Sequence, residues 1–279
     1  DEKDFDDFAS EILLPHKYST MGPALAVGDV DGDGLDDFYI GGASGQSGAL
    51  FVDTNGSSYE KIKDGPWEKD RSSEDISALF FDMDGDNDLD LYVISGSNEV
   101  QIDDPKLRDR LYINDGQGNF VKSKDILPDM LQSGGCVVAA DYDGDNDLDL
   151  FIGGRQVPGN YPLAPKSYLL RNDNGKFIDV TQDLAPQKQE VGMVTSAIWT
   201  DFDSDGLTDI IVVGEWLPIG FYKNNGESFE QINESTGLDN TVGWWNRIVA
   251  GDFDNDGDED YVVGNLGLNY KYHATKTEP

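Results

Sequence analysis

The sequence has little of what covalent and acid–base chemistry usually draws on. Its 279 residues hold one cysteine, Cys136, and two histidines, His16 and His273. A lone cysteine makes no internal disulfide, and Cys136 opens the apolar stretch 136–140, which reads as core packing rather than a reactive thiol. Neither histidine lies in a nucleophile or metal-catalysis motif, and GxSxG, HExxH and P-loop patterns are absent. No apolar run approaches the roughly 18 residues that a membrane-spanning helix requires, so no such span is expected. Positive charge is scarce: 20 Lys and Arg stand against 55 Asp and Glu, for a formal net charge of -35. A phosphate backbone would be repelled by that field, which excludes nucleic acid as a partner.

What is present in quantity is acid, glycine and β-forming residues. The 32 glycines are spread among short apolar runs, and 38% hydrophobic content suffices for a sizeable core. Excess acid in such a chain points to carboxylates that hold cations rather than to a disordered polyanion. The first residue is Asp1 and not Met, which points to an export signal or upstream segment removed from the front.

One nine-residue pattern occurs five times: DVDGDGLDD from Asp29, DMDGDNDLD from Asp82, DYDGDNDLD from Asp141, DFDSDGLTD from Asp201 and DFDNDGDED from Asp252. The starting numbers differ by 53, 59, 60 and 51 residues. Each copy lies between two apolar runs, and the exit runs, such as Leu91 to Ile94, are continuous, as expected of strands covered on both faces. Four copies are followed by an Asn/Gly turn (Asn55-Gly56 and relatives beginning at Asn114, Asn172 and Asn224), and then by Tyr59, Phe120, Phe177 or Phe229. One repeat therefore reads as four antiparallel strands, A to D, with the Asp loop between A and B. A four-stranded sheet recurring every 50 to 60 residues predicts an all-β chain built as a β-propeller, a single domain over 1–279 or part of a larger one. Phe5 stands 24 residues before Asp29, so residues 4–10 read as a D strand. The fifth copy shows A and B, with a C strand expected near Tyr270 to His273. The two ends either complete one blade of a five-bladed ring or belong to a longer propeller, and the second is favoured.

Carboxylates at positions 1, 3, 5 and 9, with a carbonyl at position 7, place hard oxygens around one point. Such a set in a flexible loop suits Ca²⁺ better than Mg²⁺. The expected ligands are Asp29, Asp31, Asp33, Leu35 and Asp37; Asp82, Asp84, Asp86, Asp88 and Asp90; Asp141, Asp143, Asp145, Asp147 and Asp149; Asp201, Asp203, Asp205, Leu207 and Asp209; and Asp252, Asp254, Asp256, Asp258 and Asp260. Position 6 should adopt positive φ, and Gly34, Asn87, Asn146, Gly206 and Gly257 tolerate it. The competing reading, solvated Asp-rich turns, must accept mutual repulsion on the order of a kcal/mol per carboxylate pair at ~4 Å even in water. About five Ca²⁺ are expected. An EF-hand would need an acid at position 12, where Ile40, Val93, Ile152, Val212 and Val263 stand.

The segment Gly28 to Gly42 and its four relatives resemble the FG-GAP/VCBS repeats of bacterial surface and secreted proteins, related to the calcium-binding blades of integrin α chains. The resemblance covers roughly residues 5–265, although no literal Phe-Gly…Gly-Ala-Pro signature is present. It implies a propeller, commonly of seven or eight blades, with roles in adhesion, ligand recognition or scaffolding beside a separate catalytic domain.

Calcium loops that bind at roughly 0.1 to 1 mM would be largely empty in a resting cytosol, which predicts an extracellular, cell-surface or periplasmic setting. Antiparallel connectivity puts the A–B loops at one end and the B–C and D–A connections at the other. Candidate ligand residues on that second face are Trp67, Arg108, Arg110, Arg155, Tyr161, Trp216, Trp244 and Trp245. The competing reading is that the tryptophans pack between blades. The expected function is binding of a glycan or protein, without catalysis. A propeller-based polysaccharide lyase or hydrolase, or a scaffold domain of a larger enzyme, is the alternative.

Overall fold

The computed structural model describes residues 4–185 and 191–267. Eighteen β-strands account for nearly all of its regular structure. The first sheet holds β1 (Leu25–Gly28), β2 (Asp37–Ile40), β3 (Ala49–Asp53) and β4 (Tyr59–Lys61), and the second β5 (Asp75–Phe81), β6 (Asp90–Ser95), β7 (Arg110–Ile113) and β8 (Val121–Lys122). The third holds β9 (Ser133–Ala140), β10 (Asp149–Gln156), β11 (Tyr168–Asn172) and β12 (Phe177–Asp179). The fourth holds β13 (Met193–Thr200), β14 (Asp209–Leu217), β15 (Gly220–Asn224) and β16 (Phe229–Gln231), after which β17 (Gly243–Gly251) and β18 (Asp260–Asn265) pair with each other. Within the first three sheets, and from β13 to β16, the strands run antiparallel in chain order, the A-B-C-D plan expected from the repeat; β17 joins the last sheet by pairing with the far end of β14 at Glu215–Trp244 and Leu217–Gly243.

Sequence and burial agree along the second strands. All eight residues of β10 and all six of β6 are buried, so the continuous apolar runs within them, Leu150 to Ile152 and Leu91 to Ile94, reflect cover on both faces. The first strands lie side by side in chain order, β1 against β5, β5 against β9, β9 against β13 and β13 against β17. The core fills the gaps between sheets: Tyr39, Trp67 and Phe120 between the first and second, Tyr92, Ile152 and Phe177 between the second and third, and Phe151, Val212 and Phe229 between the third and fourth. Trp199 packs in the last of these gaps and donates from Nε1 to the Val138 carbonyl at 3.2 Å.

Two expectations about the ends fare differently. Residues 4–10 do not form a strand. Asp6 caps a short helix α1 (Asp7–Ser10) by accepting from the Ala9 amide, and Asp7 is fully buried, receiving bonds from the Tyr18 and Ser19 amides, Ser19 Oγ and Asn98 Nδ2. Those donors satisfy the carboxylate only if the chain turns back on itself there, which a strand would prevent. The C strand expected near Tyr270 to His273 lies outside the described residues.

Candidate functional site

Each A–B connection folds around its first aspartate. In all five loops one oxygen of that residue accepts the amide of position 6, at 2.8 Å from Gly34 and 3.0 Å from Asn87 and Asn146, with Gly206 and Gly257 at 2.9 and 3.1 Å. The residues at position 6 have φ between 69° and 97°, as expected. Position 4 is also left-handed in every loop, at Gly32, Gly85, Gly144, Ser204 and Asn255, with φ between 60° and 81°. The position-5 aspartate accepts the amide of position 7 in each loop, as Asp33 does from Leu35 at 2.8 Å and Asp145 from Asp147 at 2.9 Å.

Position 9 sits where the loop enters the second strand, and it is wholly buried at Asp37, Asp90, Asp149 and Asp209. One of its oxygens takes the amide at the end of strand C, from Asp53, Asn114, Asn172 and Asn224 at 2.7 to 2.8 Å. The other takes the position-2 amide in four loops, from Val30, Met83, Tyr142 and Phe253. Burial, opposed by these amide bonds and reinforced by neighbouring carboxylates, pushes Asp90 and Asp149 up to about 7 and Asp209 up to about 6.

These constraints bring carboxylates together. In each loop three of them place one oxygen apiece within 4.8 Å of the others: Asp29, Asp31 and Asp33; Asp82, Asp84 and Asp86; Asp141, Asp143 and Asp149; Asp201, Asp203 and Asp209; Asp252, Asp254 and Asp260. Positions 1 and 3 thus converge in all five loops, joined by position 5 in the first two and position 9 in the last three. Two further observations suit a cation. The Lys223 ammonium bonds to Asp203 and lies 2.7 Å from Asp205, and Asp209 Oδ2 is buried without a hydrogen-bond partner. An all-oxygen set of this kind fits a hard divalent ion.

The second face begins at the far end of the same strands. Asp209 and Trp216 are seven residues apart on β14, roughly 23 Å at the usual strand rise. There a groove of about 720 Å³ is lined by Tyr161, Pro162, Glu215, Trp216 and Leu217, with Leu13 and Pro15 from the N-terminal segment. Trp216 is 40% exposed and adopts φ 59°, at the irregularity where β14 passes from Glu215 to Leu217 along β17. Its Nε1 donates to Tyr161 Oη at 2.7 Å, and its ring meets Trp244 at 5.1 Å in a T-shaped contact. Beneath it, Glu215 is buried; Arg155 donates to Oε1, Tyr18 Oη to Oε2 at 2.6 Å, and His16 Nε2 lies 3.8 Å away. Arg155 also stands over the Tyr18 ring at 4.8 Å. Burial lowers the His16 pKa despite Glu215, and Tyr18 is raised well above the ordinary phenol value by the same cause.

Of the residues placed on this face from sequence, Trp216 and Tyr161 line the groove, and Arg108 is exposed and pairs with Asp129 at 2.7 Å. The others serve the core. Trp67 is 2% exposed in a 3₁₀ turn (Pro66–Asp70), where it packs against Tyr39, Tyr112 and Phe120. Arg110 is buried in an ion pair with Asp75 at 2.8 Å, Arg155 is held by Glu215, Trp244 is buried, and Trp245 packs beside Ile248 and Val263. Sequence reasoning missed Asp7, Tyr18 and Glu215. Glu215 left a signal, as the one acid within the apolar run from Ile210 to Leu217; the N-terminal residues left none, because their segment has no periodicity.

Repeated four-stranded antiparallel sheets, each with an acidic loop between its first two strands, define a class of all-β repeat proteins. Within it, this chain carries FG-GAP-like repeats: the family model for them matches residues 82–152 and 201–263. No curated protein matches. Among solved structures, an Agrocybe aegerita lectin described as recognising non-reducing terminal N-acetylglucosamine is similar at 17% identity and a TM-score of 0.54, over 88% of this chain and 61% of its own. The Vibrio cholerae biofilm matrix protein Bap1 is similar at 16% identity and 0.42, over 87% and 34%, and a Bacillus licheniformis rhamnogalacturonan lyase at 13% and 0.30, over 86% and 39%. The chain spans less than two thirds of each of these proteins.

Proposed function

We propose that this chain is a calcium-loaded β-propeller, or part of one, that works outside the cytoplasm as a glycan-binding module through the groove at Trp216. The observation that carries the reading is the exposed indole of Trp216, held at positive φ and pinned by Tyr161 beside a concave surface of about 720 Å³. A non-glycine residue kept in the left-handed region at an exposed site points to function, since packing does not demand it. An aromatic plane beside polar groups suits the apolar face of a sugar ring. Glu215 is already satisfied by Arg155 and Tyr18, so the floor offers no free charge, and the formal -35 of the chain disfavours a polyanionic ligand.

The ion would be held by the position-1 and position-3 aspartates of each loop, with position 5 or 9. It would neutralise charge that otherwise opposes folding; five divalent ions would bring the formal -35 to -25. The lectin likeness, at 17% identity, supports the fold and leaves the ligand to the groove. Extracytoplasmic placement rests on the repeat family and on the millimolar calcium such loops commonly need. No helix among the described residues is long and apolar enough to cross a membrane.

A glycan array and a polysaccharide depolymerisation assay, run side by side in millimolar calcium on the parent chain and Trp216→Ala, test the reading. Binding without turnover, weakened in the variant, is expected. Turnover would replace the module with an enzyme, and an array blank for the calcium-loaded parent would remove the glycan.

A further inference from the structure

A second cavity, of about 440 Å³, lies on the other side of the 157–167 connection and shares Ala164 with the Trp216 groove as a wall. Ile102, Leu131, Val157, Pro158 and Pro165 give it apolar sides, and its polar lining is Asp103, Asp129, Gln132, Gln156, Lys166 and the half-buried Tyr168. Its size and its mixture of apolar walls with a few polar groups are those of small-molecule sites, which run from about 300 to 1,000 Å³.

Two of the polar groups are unpaired. Gln156, the last residue of β10, is 4% exposed, and its Oε1 is buried without a hydrogen-bond partner. Gln132, on the segment entering β9, has a buried Nε2 in the same condition. One is an acceptor and the other a donor, and they do not bond to each other. Buried polar atoms are almost always satisfied, so an unsatisfied pair of opposite character in one cavity wall asks for a partner from outside. The terminal torsion of a glutamine is broad, so either carboxamide turns toward a ligand at little cost. Charge around the cavity is balanced: Asp129 faces Arg108 at 2.7 Å, and Lys166 stands in the lining with Asp103.

We propose that this cavity is a second saccharide site, in which the carboxamides of Gln156 and Gln132 take the hydroxyl groups of an uncharged pyranose. A hydroxyl donates and accepts at once, so one kind of ligand group answers both unpaired atoms. The apolar walls cover the C–H face of the ring, and the balanced charge selects against uronates and phosphorylated sugars. This site shares its ligand class with the Trp216 groove and none of the polar residues that line it.

Calorimetric titration of the full chain in millimolar calcium with cellobiose, N,N′-diacetylchitobiose and mannobiose tests the proposal, using Trp216→Ala as the background that silences the first groove. At least one disaccharide should still bind that background, and adding Gln156→Leu or Gln132→Leu should weaken it tenfold or more. The unliganded Gln156→Leu protein should melt no lower than its parent, because the atom removed has no partner inside the protein; a purely structural glutamine would behave in the opposite way. Residual binding indifferent to both leucine variants overturns the site, as does its complete loss in Trp216→Ala alone. Binding of an acetylated alanine tetrapeptide at the glutamines in place of the sugars overturns the ligand class. Failure of the Trp216 reading looks different: Trp216→Ala would change nothing while Gln156→Leu abolished binding.

Discussion

Asn172, the last residue of β11, donates from Nδ2 to the Met83 carbonyl at 2.7 Å, tying the third sheet to the acidic loop of the second. The same bond recurs from Asn114 to Val30 at 2.7 Å and from Asn224 to Tyr142 at 2.8 Å. Each asparagine also reaches the position-8 carbonyl of its own loop, at Leu89, Leu148 and Thr208. In the first sheet the equivalent residue is Asp53, which has no such donor and accepts the Asn55 and Gly56 amides of its own turn.

Replacing Asn172 with Leu leaves the Met83 and Leu148 carbonyls without their side-chain donor in a fully buried setting. Urea denaturation should register a loss of about 1–3 kcal/mol. The calcium midpoint for folding should rise with it, because the lost bond anchors one loop to the next sheet. A variant within a few tenths of the parent in both measurements would show that the link is idle.

Calcium and pH should act against each other. Asp90 and Asp149 ionise near 3.8 in the unfolded chain but only near 7 in the fold, chiefly through burial. Between those values the unfolded chain binds fewer protons, so the cation-free protein loses stability as pH rises through that window. Asp7, where bonds from Ser19, Asn98 and Tyr18 outweigh burial and lower the pKa, has finished titrating by pH 5 and does not offset the trend. In EDTA the melting temperature should therefore fall from pH 5 to pH 7.5. In millimolar calcium that fall should vanish or reverse, with about 2.7 kcal/mol gained per site at a hundredfold excess over the dissociation constant. Parallel pH profiles with and without calcium would count against metal in these loops.

Trp216→Gly should separate binding from stability. Glycine adopts φ 59° freely, whereas a residue with a Cβ pays roughly 1–2 kcal/mol there. The variant should unfold at the same or higher denaturant concentration while losing the binding that belongs to the groove. Marked destabilisation would mean that the indole serves the core through Trp244 and not a ligand.

Arg110→Met should destabilise by about 3–5 kcal/mol, since it strands the Asp75 carboxylate, 3% exposed, among Tyr39 and the Gly42 amide. Groove binding by the protein that remains folded should be unchanged; altered affinity would return Arg110 to the ligand face.

Much of this was legible from the spacing of the aspartates, because the loop imposes its own geometry. A carboxylate at position 1 can hold the amide of position 6 only if the chain turns left-handed between them, so Gly34 and Asn87 could be read as bends from residue type alone. The strands followed from the loops, since Leu91 to Ile94 and Leu150 to Ile152 are apolar at successive positions and must be covered on both faces. The ligand face was harder to read. A tryptophan in a connection looks alike whether it packs, as Trp67 does, or faces solvent, as Trp216 does, because the difference lies in which sheet stands beside it. Arg110 and Arg155 read from sequence as ligand-face residues because the partners that bury them, Asp75 and Glu215, lie 35 and 60 residues away. The helix at Asp7 was hidden for the same reason, its donors coming from Tyr18, Ser19 and Asn98.

The buried thiol gives a probe of the whole third sheet. Cys136, pushed up to about 12 by burial, should resist alkylation in the native protein and react once β9 opens. Rapid modification under native conditions would reveal local opening of that strand.

The asparagine links also bear on mechanical behaviour. A pull that separates neighbouring sheets at the acidic rim must draw Asn172 away from Met83, and Asn224 away from Tyr142, before the apolar gap behind them can part. Tension along this rim is thereby passed from sheet to sheet through short side-chain ties instead of peeling one strand at a time. A chain stretched between two surfaces would resist as a linked series, its first, second and third sheets each tied to the next through Asn114, Asn172 and Asn224.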